Sequence, residues 1–206
     1  MNRIQRIFKQ KNEKVIPFIT AGYPAKEHTI EMVLSAESAG ASMVEIGIPF
    51  SDPLADGPII QESSQVALKN GVTLSWILET VSKIRQKSEI PIALMGYINP
   101  ILKYGVDKFL LDCKKSGVDG LIIPDLPPEE GNALITKAKD LNIAPILLVA
   151  PNTPNERIKK ISKIAGDLIY CVAILGITGS EAASKDDLNL YLNRVKKYSE
   201  CPFIVG

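Results

Sequence analysis

Two carboxylates stand where their surroundings give them work to do. Glu45 interrupts the apolar run Met43-Val44-Glu45-Ile46-Gly47-Ile48. A carboxyl group withdrawn from water has its pKa raised, which suits a group that must both accept and return a proton. The ordinary alternative is an ion pair with a buried base, but the apolar runs of the chain contain no Lys or Arg to supply one. Asp56 lies in Pro49-Phe50-Ser51-Asp52-Pro53-Leu54-Ala55-Asp56-Gly57-Pro58, a segment dense in turn signals. Asp-Gly is a common turn, so Asp56 is either a turn former or a loop carboxylate able to close over a ligand bound near Glu45. Asp125, in Pro124-Asp125-Leu126-Pro127-Pro128, divides evenly between the same two readings. Thr20, Tyr97, Asn99 and Tyr170 complete an acidic and hydroxylic set, although Phe18, Tyr97 and Tyr170 fit a core as readily as a pocket. Gly176-Ile177-Thr178-Gly179-Ser180 has the composition of a mobile loop whose backbone could approach a phosphate, or of an ordinary glycine turn.

Other chemistries lack their residues. No apolar run holds a Lys, which argues against a Schiff-base aldolase. The only histidine is His28, and Cys113, Cys171 and Cys201 are not spaced as metal pairs or as a disulfide framework. Non-covalent acid/base work by carboxylates remains. With 24 Lys+Arg against 23 Asp+Glu, the net charge of +1 offers no field for a nucleic-acid backbone. The longest apolar runs, five to seven residues, fall far short of the roughly 20 that span a bilayer. The basic N-terminus has no apolar core of a secretory signal, so a cytoplasmic location is expected. Its Ile4, Ile7 and Phe8 have the spacing of a short amphipathic helix packed on the body of the domain.

The elements that must position these groups recur in a regular rhythm. Seven strand candidates begin at Val15, Met43, Ile90, Val118, Ile143, Asp167 and Cys201. They are near-continuous apolar runs, the pattern of parallel strands covered on both faces. Helical faces fill the gaps: Leu74, Ile77, Leu78, Val81 and Ile84; Phe109, Leu110 and Cys113; Ile158, Ile161 and Ile164; Leu188, Tyr191, Leu192 and Val195. Thr153-Pro154-Asn155-Glu156 predicts a capping box with Pro at the first helical position. No Gly-x-Gly-x-x-Gly turn follows any strand, and seven even βα units approach the eight of a (β/α)8 barrel. The expected fold is therefore an α/β TIM barrel forming a single domain over residues 1–206. With about seven strands against the about 250 residues of a full barrel, it is expected to be C-terminally incomplete, lacking the last strand and C-terminal helices. The extra segment after the second strand, with a short helix through Val66 and Leu68, falls on the face where barrel enzymes keep their chemistry.

The run Val44-Glu45-Ile46-Gly47-Ile48-Pro49-Phe50-Ser51-Asp52-Pro53-Leu54-Ala55-Asp56-Gly57-Pro58-Ile59-Ile60-Gln61 closely resembles the tryptophan synthase alpha subunit family. The similarity extends through Pro17 to Gly22, Leu94 to Pro100, Gly120 to Pro127 and Gly176 to Gly179. It implies retro-aldol cleavage of indole-3-glycerol phosphate to indole and glyceraldehyde 3-phosphate. Glu45 matches the family's acid/base carboxylate, and Asp56 the carboxylate that hydrogen-bonds the indole N–H. Phe18, Met95, Tyr97, Ile122 and Tyr170 match positions lining the indole pocket; Thr20 and Asp125 join the substrate-binding set. Thr178 would lie in the loop that closes towards Asp56, and Gly179 would help hold the phosphate. No cofactor or metal is implied here; pyridoxal phosphate belongs to a partner beta subunit in an alpha2-beta2 heterotetramer. Ala173-Ile174-Leu175 replaces the polar residues common in relatives, which bears on loop closure and on the signal to the partner. Two other readings stay open: a degenerate subunit that binds and activates a partner, and another phosphosugar barrel enzyme.

Overall fold

The seven apolar runs become seven parallel strands that pair in chain order, β1 to β7. The computed structural model describes residues 1–10, 12–173 and 185–206. Its elements are α1 (Arg3–Phe8), β1 (Phe18–Thr20), α2 (His28–Ser38), β2 (Val44–Gly47), α3 (Pro58–Lys69), α4 (Leu74–Arg85), β3 (Ile92–Met95) and α5 (Ile98–Tyr104). There follow α6 (Val106–Ser116), β4 (Gly120–Ile122), α7 (Asn132–Asp140), β5 (Ala144–Val149), α8 (Asn155–Ala165), β6 (Ile169–Cys171), α9 (Lys185–Tyr198) and β7 (Phe203–Val205). The strands are shorter than the apolar runs because several begin just after a proline, which lacks a backbone N–H. Pro17, Pro91 and Pro202 still accept ladder bonds from Glu45, Val44 and Ile169 at 2.9, 2.9 and 3.1 Å.

Alternation along the strands divides the apolar residues into two sets. Val44, Ile46, Ile92, Leu94 and Leu121 pack outward against buried faces of α4 and α6, including Ile77, Val81, Ile84, Phe109 and Cys113. Leu147, Val149, Ile169 and Cys171 do the same against α8 and α9 through Ile158, Ile161, Tyr191 and Val195. The other set, Met43, Ala93, Ile122, Ala144, Ile146, Leu168 and Ile204, points into the curled sheet. Parallel register places Phe18, Glu45, Ala93, Gly120 and Ala144 side by side, so the row beyond Glu45 is nearly empty of side chains. The fully buried Ile4 of α1 fills part of that space: a Cβ on Gly120 would lie 2.9 Å from its Cδ1. The amphipathic N-terminal segment thus plugs the interior.

Two helical expectations need correction. Thr153 forms no capping box; α8 starts at Asn155 with Pro154 as its N-cap, and the Thr153 hydroxyl accepts the Ala150 N–H at 2.9 Å instead. A Thr side chain can satisfy either a helix terminus or a preceding turn, and here the turn wins. The short helix through Val66 and Leu68 is a twelve-residue one, α3, begun by Pro58 after Gly57. The faces read from the sequence did not include α2, α5 or α7, although α7 buries Leu134, Ile135 and Ala138.

Candidate active site

Glu45 is the third residue of its apolar run and projects into the interior, 4% exposed. Among the described residues its carboxyl group makes no hydrogen bond and no ion pair. Burial alone pushes its pKa up to about 7. Tyr170 on β6 faces it: burial, and secondarily the Glu45 charge, push the phenol up to about 12.

Two residues further along β2, about 6.6 Å at strand rise, the chain reaches Gly47 and a cavity at the C-terminal rim. Phe18, Thr20, Gly47, Ile48, Asp56, Ile60, Ser64, Met95, Gly96, Tyr97 and Pro124 line it. Its volume is about 20 Å³, the room of a single water. The Phe18 ring lies across Gly47, where a Cβ would fall 2.4 Å from its Cζ. A ring-sized ligand therefore enters only when Phe18 or the loop over it moves.

Asp56 is placed by that loop. Tyr97 accepts the Ala55 N–H at 3.0 Å through its hydroxyl, which sits beside Asp56 in the cavity lining. Gln61, in the first turns of α3, donates to the Asp56 carbonyl at 2.8 Å. Burial raises the Asp56 pKa, and the neighbouring Tyr97 hydroxyl pulls it back. Burial also pushes Tyr97 up to about 12, so the phenol keeps its proton. Thr20 lines the cavity with its hydroxyl engaged: it meets Ser63 Oγ at 2.8 Å, which in turn bonds the Ile60 carbonyl at 2.9 Å.

The structure thus gathers Phe18, Thr20, Asp56, Met95 and Tyr97 round one cavity, with Glu45, Ile122 and Tyr170 in the adjoining interior. Asp125 is turned elsewhere, onto the Ile98 N–H at the start of α5. Thr178 and Gly179 lie outside the described residues. Sequence reasoning missed Gln61, Ser63 and Ser64; the only available signal was a pair of small hydroxyl residues on the face that α3 buries. No group of three or more His, Cys, Asp or Glu side chains suited to a metal ion occurs among the described residues.

Residues 4–206 match the family model described as tryptophan synthase alpha chain. The tryptophan synthase alpha chain of Petrotoga mobilis is 48% identical over 206 residues, covering 100% of this chain and 80% of that one. That of Caldanaerobacter subterraneus is 47% identical with the same coverage. Among solved structures, the tryptophan synthase alpha subunit of Legionella pneumophila superposes with a TM-score of 0.92 at 33% identity, over 100% of this chain and 78% of that one. A chain of the Pyrococcus furiosus tryptophan synthase a2b2 complex gives 0.86 at 40% identity, over 94% and 77%.

Proposed function

Because the chain belongs to the tryptophan synthase alpha chain family, we propose that it cleaves indole-3-glycerol phosphate with Glu45 and Asp56 as its catalytic carboxylates. The observation that carries this reading is a buried carboxyl group with no cation or hydrogen bond among the described residues, next to a rim cavity that holds a second carboxylate.

The reaction is a retro-aldol carbon-carbon cleavage. The Glu45 carboxylate takes the proton of the side-chain hydroxyl on the carbon attached to the indole ring. That oxygen becomes the aldehyde of glyceraldehyde 3-phosphate as the bond to the ring carbon breaks, and the bonding pair returns to the ring. The ring carbon must first be protonated, giving an indolenine that carries positive charge on nitrogen; Glu45, with a pKa near neutrality, serves that transfer as well. Asp56 accepts the ring N–H and stabilises the charge as it develops. Phe18, Met95, Tyr97, Ile122 and Tyr170 supply apolar walls for the flat ring. Thr178 and Gly179 are assigned to loop closure and phosphate binding, and Thr20 to the substrate surroundings.

The chain acts with a tryptophan synthase beta chain in an alpha2-beta2 assembly, the form named for the Pyrococcus furiosus complex, and so takes part in tryptophan biosynthesis. Pyridoxal phosphate is assigned to that partner, and this chain's reaction needs no cofactor. No helix of the described residues is long and apolar enough to cross a membrane, and the setting is cytoplasmic. The test is indole release from indole-3-glycerol phosphate, with and without a beta chain. Turnover that disappears in Glu45→Gln supports the reading; partner activation without any turnover would replace it with a regulatory subunit.

A further inference from the structure

Three successive rim loops are joined by one line of hydrogen bonds. After β4, the Asp125 carboxylate accepts the Ile98 N–H at 3.0 and 3.3 Å. That amide is the first of α5, a helix of seven residues whose N-cap, Tyr97, contributes no side-chain cap of its own. So short a helix has little intrinsic stability, and its leading N–H groups lack intrahelical partners. A carboxylate from the neighbouring loop supplies both the missing acceptor and a charge favourable at that terminus. Tyr97 directly precedes the capped amide, so the start of α5 sets the direction of its ring. The ring then spans to the loop after β2, where its hydroxyl accepts the N–H of Ala55, the residue next to Asp56, at 3.0 Å. The Phe50 ring, 5.3 Å away centroid to centroid, packs beside it.

We propose that Asp125 is a positioning residue that acts through Tyr97: it fixes the start of α5, and Tyr97 thereby holds Asp56 at the reaction site. The proposal rests on the assignment of Asp56 above. It gives Asp125 a task that involves no substrate contact. Displacing the tip of a long side chain by about 1 Å is enough to cost on the order of 100-fold when that tip places a catalytic group. The loss should fall on kcat rather than KM, because the ring charge that Asp56 faces develops only towards the transition state.

The experiment is a double-mutant cycle on the full chain with its beta chain, reading kcat and KM for indole release. Asp125→Ala should lower kcat at least tenfold with KM within threefold of the unmodified chain. Asp125→Asn, which keeps an acceptor oxygen for the Ile98 N–H, should recover kcat to within threefold and is the variant that keeps the helix start intact. Asp125→Ala combined with Tyr97→Phe should be no slower than Tyr97→Phe alone. Multiplying effects in the double variant, an Asp125→Ala chain within twofold of the unmodified one, or Asn no better than Ala would overturn the proposal. Asp56→Ala, measured alongside, separates the two assignments. Unchanged turnover there removes Asp56 and this proposal together, whereas lost turnover with a multiplying cycle removes only the role of Asp125.

Discussion

Asp119 and Glu45 are equally buried, each 4% exposed, and lie one residue row apart in the sheet register, on neighbouring positions of alternating strands. Asp119, just before β4, is fully compensated. It meets Arg85 at 2.6 Å and Arg3 at 3.1 Å and accepts the Ile92 N–H at 2.9 Å. Nearby, Asp167 receives Asn2 Nδ2 and Gln5 Nε2, each at 2.7 Å, so both carboxylates hold α1 against the N-terminal end. Glu45 has the same burial and none of this. The contrast teaches that burial by itself does not mark a site. A carboxylate with its partners supplied is a clasp, whereas one left without them stays ready to exchange a proton.

The sharpest way to break that comparison is Glu45→Gln. Proton transfer by a placed carboxyl is worth roughly 10²–10⁴-fold, so turnover should fall by that much or more. Stability should move the other way. The folded-state pKa of about 7 lies above the ordinary 4.5, so between these values the native state binds the extra proton. The group's contribution is fully present below pH 4.5 and is lost as pH rises through 7. Over that window the Gln variant should gain roughly 3 kcal/mol on the unmodified chain, from about 1.4 kcal/mol per pH unit. Urea unfolding of both chains at pH 4.5 and pH 8 measures this, and a pH-independent difference would contradict the raised pKa.

Asp119→Ala should do the converse. Removing one partner of a buried pair leaves Arg85 uncompensated and costs about 3–5 kcal/mol, while kcat/KM of the folded enzyme stays within a few-fold. A large kinetic defect with little loss of stability would make Asp119, rather than Glu45, part of the catalytic machinery. The pH profile of kcat/KM in the unmodified chain should fall through a midpoint near 7, because the cycle begins with protonated Glu45 giving its proton to the ring carbon. A profile flat from pH 5 to 8 would remove Glu45 from the proton transfers. The smallest effect is expected at the plug. Asn2 caps α1, accepting the Gln5 N–H at 2.7 Å, and Asn2→Ala should cost about 1 kcal/mol of stability in thermal unfolding with no change in kcat.

Much of this was legible in the chain because burial on both faces writes itself as uninterrupted Val, Ile and Leu. All seven strands and the faces of α4, α6 and α8 followed from it. Glu45 was legible for the same reason, as a charge with apolar residues on both sides, Met43-Val44 and Ile46, in such a run. Local chemistry that admits two partners was not. Thr153 suits a helix cap or a turn equally well, and only the folded chain brings the Ala150 N–H within reach. Asp125 sits among prolines that would accept any turn, and its actual partner, Ile98, is 27 residues away. Tyr97 reads as an apolar wall, yet its hydroxyl is what ties the Asp56 loop to the barrel.

The sequence by itself determined the alternation of strands and helices and the family, and pointed to the two carboxylates, since apolar periodicity and a long run of specific residues are local properties of the chain. The tertiary structure alone decided which carboxylates are clasped and which, among the described residues, have no partner. It also decided that Ile4 fills the row emptied by Ala93, Gly120 and Ala144, and that a seven-residue helix is aimed from the next loop. These depend on groups far apart in sequence reaching hydrogen-bond or van der Waals distance, and only the closing of the sheet brings them there.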